Sequence, residues 1–381
     1  MSSRLIVVKV GTSGITTSEG ELDEHEMQRL ACQIAQAMRQ GDRVVLVTSG
    51  AVVAGVAELG VVPNSEDVVF QQAAAATGQS VLMAKYRKLF AEYGLKVAQV
   101  LLTAEDLSNR KSYVHTCDVL ALLLKFGVVP IINENDVTSV EELRRADGYK
   151  VNFSDNDILS VLVAGAISAD LVVILSDVDG LYTSDPAESG AELIRTVDNI
   201  TDELKMSLKG KGKFGRGGIQ SKVKAAEIAT NCGIPVVISN SRKENVLISI
   251  LASDRNVGTY FKPQKCMSAV KRWIAYGAAV KGSIQVNDSA KEAILQGSSL
   301  LAVGVNSVNG VFDVNDVISL EDESGVEFAR GTPNFNSSQL DQIKGLQIAE
   351  VLEKIGADKS KEVIEQKNIH VIIEEEKNQD D

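Results

Sequence analysis

The chain is poor in the residues that build metal, redox and disulfide chemistry. It has three histidines and four cysteines in 381 residues. His25, His115 and His370 lie far apart, and Cys32, Cys117, Cys232 and Cys266 include no C-x-x-C pair. A zinc site and a disulfide framework are therefore excluded as organising features. Uninterrupted apolar runs of about 18 residues are missing, so no membrane helix is expected. The N-terminal apolar run is too short for a secretory h-region, and a reducing cytoplasm is the expected compartment. Basic surplus is missing too: the net charge is −12, which argues against a sequence-independent hold on nucleic acid.

What is present is an ordinary globular composition, 44% hydrophobic and 24% charged. Short β-branched runs alternate with longer amphipathic ones over the first two-thirds. Residues 5–10, 43–50, 96–102, 128–136, 171–177 and 234–239 read as strands buried on both faces. Residues 27–38, 73–90, 118–126 and 219–232 read as helices. That alternation predicts an α/β fold, a three-layer αβα domain around a mainly parallel sheet. After about Gly258, short segments broken by Gly, Asn and Asp predict a small, mostly-β C-terminal module. The expected domains are 1–262, a linker at 263–271, the module at 272–373, and an acidic tail at 374–381.

Polar groups follow four of the six strands: Gly11-Thr12-Ser13, Thr48-Ser49-Gly50, Asn133 to Asp136, and Ser176-Asp177. Ligands of open parallel sheets sit outside the carboxyl ends of strands, so these exits are candidate site residues. Lys9, near the end of an apolar first strand, needs an anionic partner or must snorkel to solvent. The segment 209–229 is rich in Gly and Lys just before a helix, which makes either a phosphate cradle or a solvated loop. A literal G-x-G-x-x-G at Gly210, Gly212 and Gly215 follows no buried strand and carries little weight, and no Walker A pattern occurs. "FSDND" at 153–157 fails as a calcium loop, because no Gly stands sixth from Asp155 and the twelfth position is Ala166. It works as a helix N-cap through Ser154 or Asp155, which leaves Asn156 and Asp157 over.

"VVKVGTS", "VTSGAVVAG", "PIINEND", "SDNDILS", "LSDVDGLYTSDP", "GRGGIQSKVKAAEIA" and "VGTYF" together resemble the amino acid kinase family. Within it they resemble the branch that phosphorylates glutamate and carries a C-terminal PUA domain. The likeness runs to about residue 373. It implies transfer of the γ-phosphoryl group of ATP to the side-chain carboxylate of L-glutamate, the first step of proline biosynthesis, with Mg2+ carried mainly by the nucleotide phosphates. By similarity Lys9 and Lys222 flank the migrating phosphoryl group and Asp157 holds them. Ser49, Asp136 and Asn156 bind glutamate. Lys9, Ser176, Asp177, Arg216, Gly217, Gly218, Ile219, Gln220, Ser221 and Lys222 contact the nucleotide, and no dedicated metal ligand is implied. The resemblance also implies a homo-oligomer, proline as feedback inhibitor, and a glutamyl phosphate reductase as partner. An alternative is a different carboxylate substrate, or an RNA-interacting C-terminal module. Residues 271–350 carry six Lys/Arg against ten Asp/Glu, a poor balance for phosphate binding. The chain departs from the family in a longer loop between Asp136 and Asp155, in Ser154 where glycine is common, and in Gln71 where a lysine is usual.

Overall fold

The computed structural model describes residues 3–139, 155–184, 186, 188–207, 218–254, 256–264, 267–355 and 362–372. The chain forms two compact units, Met1–Asp106 with His115–Met267, and Leu107–Val114 with Ser268–Asp381.

The first unit is built on an eight-stranded sheet. Its strands are β1 (Leu5–Val10), β2 (Arg43–Thr48), β3 (Lys96–Leu102), β4 (Val128–Glu134), β5 (Leu171–Ser176), β6 (Thr196–Val197), β7 (Val236–Asn240) and β8 (Thr259–Phe261). They lie in the order β3-β4-β2-β1-β5-β7-β8-β6, and every pairing is parallel except β7 with β8. β1 therefore sits between β2 and β5, with Lys9 opposite Val47 and Ile174, and Val10 opposite Thr48 and Leu175. Connections leave β1 and β5 toward opposite edges, and in open parallel sheets ligands sit outside the carboxyl ends of strands at such a switch point.

The β-branched composition of β1, β2 and β5 matches burial on both faces, and each is almost wholly inaccessible. β3 departs from the expectation. It forms the sheet edge, and Lys96 and Gln99 are exposed because no strand covers its outer side. β6 and β8 have no counterpart among the runs read from sequence, being only two and three residues long.

Helices cover both faces. Glu24–Arg39 is capped by Asp23, whose side chain accepts from Glu26 N–H, and puts Met27, Leu30, Ala31 and Ile34 into the core. Ala51–Leu59, a helix not expected from the sequence, crosses Val68–Ala91 at very close range. A Cβ on Gly55 would lie 1.7 Å from the Ala74 carbonyl oxygen, and one on Gly78 would lie 1.9 Å from that of Ala51. Only glycine admits such an approach, and backbone on both sides leaves nothing free to yield. Gly55→Ala is expected to cost about 3 kcal/mol or more, measured as a fall in the thermal unfolding midpoint with no change of secondary structure before the transition.

The second unit has a five-stranded sheet in the order β10-β9-β11-β12-β13, with β9 (Val280–Val286), β10 (Val305–Gly310), β11 (Val317–Glu321), β12 (Glu327–Gly331) and β13 (Ile369–Val371). It has its own core, including Ile284, Phe312, Leu320, Phe335 and Leu340. Residues 107–114 belong to this unit: Trp273 Nε1 donates to the Leu107 carbonyl at 3.0 Å, and the Arg110 guanidinium stands 5.1 Å from the centre of a Trp273 ring. No helix among the described residues is long and apolar enough to cross a membrane.

Candidate active site

Lys9 enters the site because it is the last residue but one of β1, where the strand leaves the core. Asp157 enters from the first turn of the helix Asn156–Ile167, which Asp155 caps by accepting from Asp157 N–H at 2.8 Å. Lys222 enters from the helix Gly218–Asn231. The three meet: Lys9 Nζ stands 2.5 Å from one oxygen of Asp157 and Lys222 Nζ 3.1 Å from the other. Lys222 also donates to the Gly218 carbonyl at 3.2 Å.

These are buried charges, with Lys9 5%, Lys222 8% and Asp157 2% exposed. Lys9 does not snorkel; it has the anionic partner that its position demanded. Two ammonium groups share one carboxylate, so the cluster keeps a surplus positive charge in a poorly solvated place. Such a surplus favours a further anion close by. The same two helices are joined a second time, by the Ser221 hydroxyl donating to Asp155.

Around this centre lie the ends of the other strands. The Asn156 amide donates to the Thr48 carbonyl at 3.0 Å, to Ser49 Oγ at 2.9 Å and to Asn133 Oδ1 at 3.0 Å, which fixes it between β2 and β4. Ser49 leads into Gly50, whose φ of 99° turns the chain into the helix Ala51–Leu59. No side chain caps that helix start, so its first N–H groups stay available. Asp136 follows β4, and burial pushes its carboxyl above the ordinary carboxylate range, with only a backbone hydrogen bond acting the other way. At the end of β5, Ser176 Oγ donates to Asp177 Oδ1 at 2.9 Å, and the Ser176 carbonyl accepts from Ser241 N–H. Gly218, Ile219, Gln220 and Ser221 form the start of the helix that carries Lys222. Arg216 and Gly217 lie outside the described residues, as do Ser154 and most of the long loop after Asp136.

The sequence-derived site residues within the described set thus gather at the carboxyl ends of β1, β2, β4 and β5 and at two helix starts. Sequence reasoning flagged Asn133 only as part of a polar strand exit and gave no role to Gln79. Asn133 Nδ2 donates to Gln79 Oε1 at 3.0 Å in the buried layer behind Asn156. Gln79 had only the signal of an amide in an apolar helix. Among the described residues no group of three or more His, Cys, Asp or Glu side chains is placed to hold a metal.

The sequence signature of the amino acid kinase family matches residues 4–240, and that of the PUA domain residues 282–355. Curated relatives match along almost the whole chain. A glutamate 5-kinase of Moorella thermoacetica is 41% identical over 97% of this chain and 97% of its own. One of Caldanaerobacter subterraneus is 41% identical over 98% and 99%, and one of Desulfitobacterium hafniense 40% identical over 97% and 99%. The chain belongs to the amino acid kinase family, in the glutamate 5-kinase group, and carries a PUA domain after its kinase portion.

Proposed function

We propose that the chain transfers the γ-phosphoryl group of ATP to the side-chain carboxylate of L-glutamate, giving L-glutamyl 5-phosphate and ADP, the first step of proline biosynthesis. The observation that carries this reading is the buried Lys9–Asp157–Lys222 cluster at the strand ends. The attacking oxygen is already anionic, so no general base is needed. A new P–O bond forms as the bond to the β-phosphate oxygen breaks, and the work left to the protein is alignment and charge neutralisation.

Lys9 and Lys222 reach the transferring group from two elements and stabilise the charge on its equatorial oxygens, while Asp157 keeps both ammonium groups facing the same point. Ser176, Asp177 and the helix start at Gly218–Ser221 hold the nucleotide, together with Arg216 and Gly217 of the preceding segment. Magnesium, when bound, supplies charge neutralisation on the phosphates. Both Asp157 oxygens are committed to lysines, so a cation carried by the nucleotide suits this donor set better than a protein cage. Ser49 and the open helix start beside it receive a carboxylate of glutamate, and Asn156 and Asp136 its ammonium end. The same reading carries proline as feedback inhibitor, a homo-oligomeric enzyme in the cytoplasm, and a glutamyl phosphate reductase that consumes the labile product.

The test is ADP release against glutamate, aspartate, N-acetylglutamate and UMP, with and without proline. Glutamate is expected to give the highest kcat/KM, and a preference for any other acceptor rejects the proposal.

Asp136 gives a pH signature. Its folded-state pKa is raised above the ordinary 3.8. The proton is thus held more tightly in the folded chain, and the associated stability is present below 3.8 and lost as pH rises through the folded value. Docking an ammonium beside Asp136 favours the ionised form, so the KM for glutamate is expected to fall as pH rises through that window. In Asp136→Asn the KM is expected to be about tenfold or more higher and to keep only the pH dependence of the substrate's own carboxyl, with kcat little changed. Steady-state kinetics over a pH series checks this, and a KM profile of unaltered shape in Asp136→Asn contradicts it.

A further inference from the structure

The hydrogen-bond chain behind the glutamate subsite has a fixed direction. The Thr48 carbonyl can only accept, so the Asn156 amide must turn its Nδ2 toward it. The same Nδ2 faces Asn133 Oδ1, which leaves Asn133 Nδ2 to donate outward, and Gln79 Oε1 receives it. All three amide orientations therefore follow from one backbone carbonyl. The chain ends at Gln79, 8% exposed, with Asn133 3% exposed between the two outer amides. Gln79 Nε2 and Asn156 Oδ1, the two ends of the chain, are buried and have no partner among the described residues. Gln79 follows Gly78, the residue that lets its helix touch the Ala51 carbonyl.

Asn156 Nδ2 is within hydrogen-bond distance of three acceptors but carries two protons. Ser49 Oγ can accept one of them and still donate its own proton, because a hydroxyl accepts and donates at once. If Asn133 swings away, the Asn156 amide keeps Thr48 and Ser49 as acceptors but loses its tie to β4, and it is held less firmly. We propose that Gln79 is a positioning residue for the amino acid substrate. By accepting from Asn133 it holds the Asn133 side-chain oxygen on Asn156, which fixes the Asn156 amide between β2 and β4 beside Ser49. This rests on the assignment of glutamate as substrate. It adds a residue that touches no substrate atom and acts two hydrogen bonds away.

The test is steady-state kinetics of Gln79→Met, Gln79→Glu, Asn133→Ala and the Gln79→Met/Asn133→Ala pair, with folding followed by thermal melts. Gln79→Met is expected to raise the KM for glutamate about tenfold, with kcat within about threefold and the KM for ATP unchanged, the effect of losing one buried hydrogen bond in the relay. Gln79→Glu keeps an oxygen facing Asn133 and restores the KM to within about threefold of the wild type. In the double variant the two effects do not multiply, because the second residue acts only through the first. Should Gln79→Met not fold, the selective KM rise in Asn133→Ala and the near-normal KM of Gln79→Glu carry the proposal. An active wild type with an unaltered glutamate KM in Gln79→Met overturns it. So does equal damage in Gln79→Glu, a parallel loss of kcat and ATP affinity, or multiplying effects in the pair. A wild type that turns over no glutamate overturns the functional reading, and the role of Gln79 with it.

Discussion

Asp157→Asn is expected to abolish turnover and to weaken the fold at the same time. The substitution preserves shape but removes the only acidic side chain in contact with Lys9 and Lys222 among the described residues, and both lysines are buried. Two ammonium groups then face one another across a neutral amide. Removing one partner of a buried ion pair costs about 3–5 kcal/mol, and here one carboxylate serves two cations. The loss of kcat is expected to be about a thousandfold or more, since both lysines lose their common direction. Denaturant unfolding and single-turnover phosphoryl transfer separate the two effects. An Asp157→Asn chain as stable as the wild type would mean that the lysines find other anions or deprotonate.

Lys222→Ala is expected to behave differently, and the contrast identifies the roles. Asp157 keeps Lys9 as partner, so no charge is stranded and stability is expected to fall by only about 1–2 kcal/mol. Turnover is expected to fall by about 10²–10³, the usual effect of deleting one donor aimed at developing charge. The KM for ATP is expected to rise less than kcat falls, because the interaction strengthens as charge spreads in the transition state. Lys222→Arg is not expected to restore the rate: a planar, forked guanidinium does not reproduce a compact charge with Asp157 Oδ2 at 3.1 Å. Near-normal turnover in Lys222→Ala would remove this residue from the mechanism.

Much of the fold was legible because the central strands announce themselves. Leu5–Val10 and Leu171–Ser176 are β-branched, buried runs ended by polar residues, and their limits were read to within a residue. Boundaries failed where packing rather than composition decides. The helix expected at 73–90 begins at Val68, because the Asp67 side chain caps it by accepting from Phe70 N–H. The helix Ala51–Leu59 is apolar almost throughout, so it had no amphipathic period to betray it. At the site, Lys9 could be suspected from burial cost alone, and its need of an anion was readable before the anion was known. That the anion is Asp157, and that Lys222 shares it, required a contact across some 65 to 148 positions of chain, which no local pattern encodes. The Gln79–Asn133–Asn156 chain was illegible for the same reason: three amides on three elements meet only in the folded molecule.

The pairing of Asp157 with both lysines also bears on what the resting pocket rejects. Its two cations are not bare: they share one internal anion, which balances half of their charge. A small ion such as chloride or sulfate arriving alone meets only the remaining charge, and it has no second foothold. On the proposed reading a nucleotide has further anchorage along Ser176, Asp177 and the Gly218 helix start. The built-in carboxylate thus weakens the pull of the lysines on small ions of the surrounding medium. Because the cluster is buried, added salt should slow this enzyme far less than a surface-exposed pair of lysines would suggest.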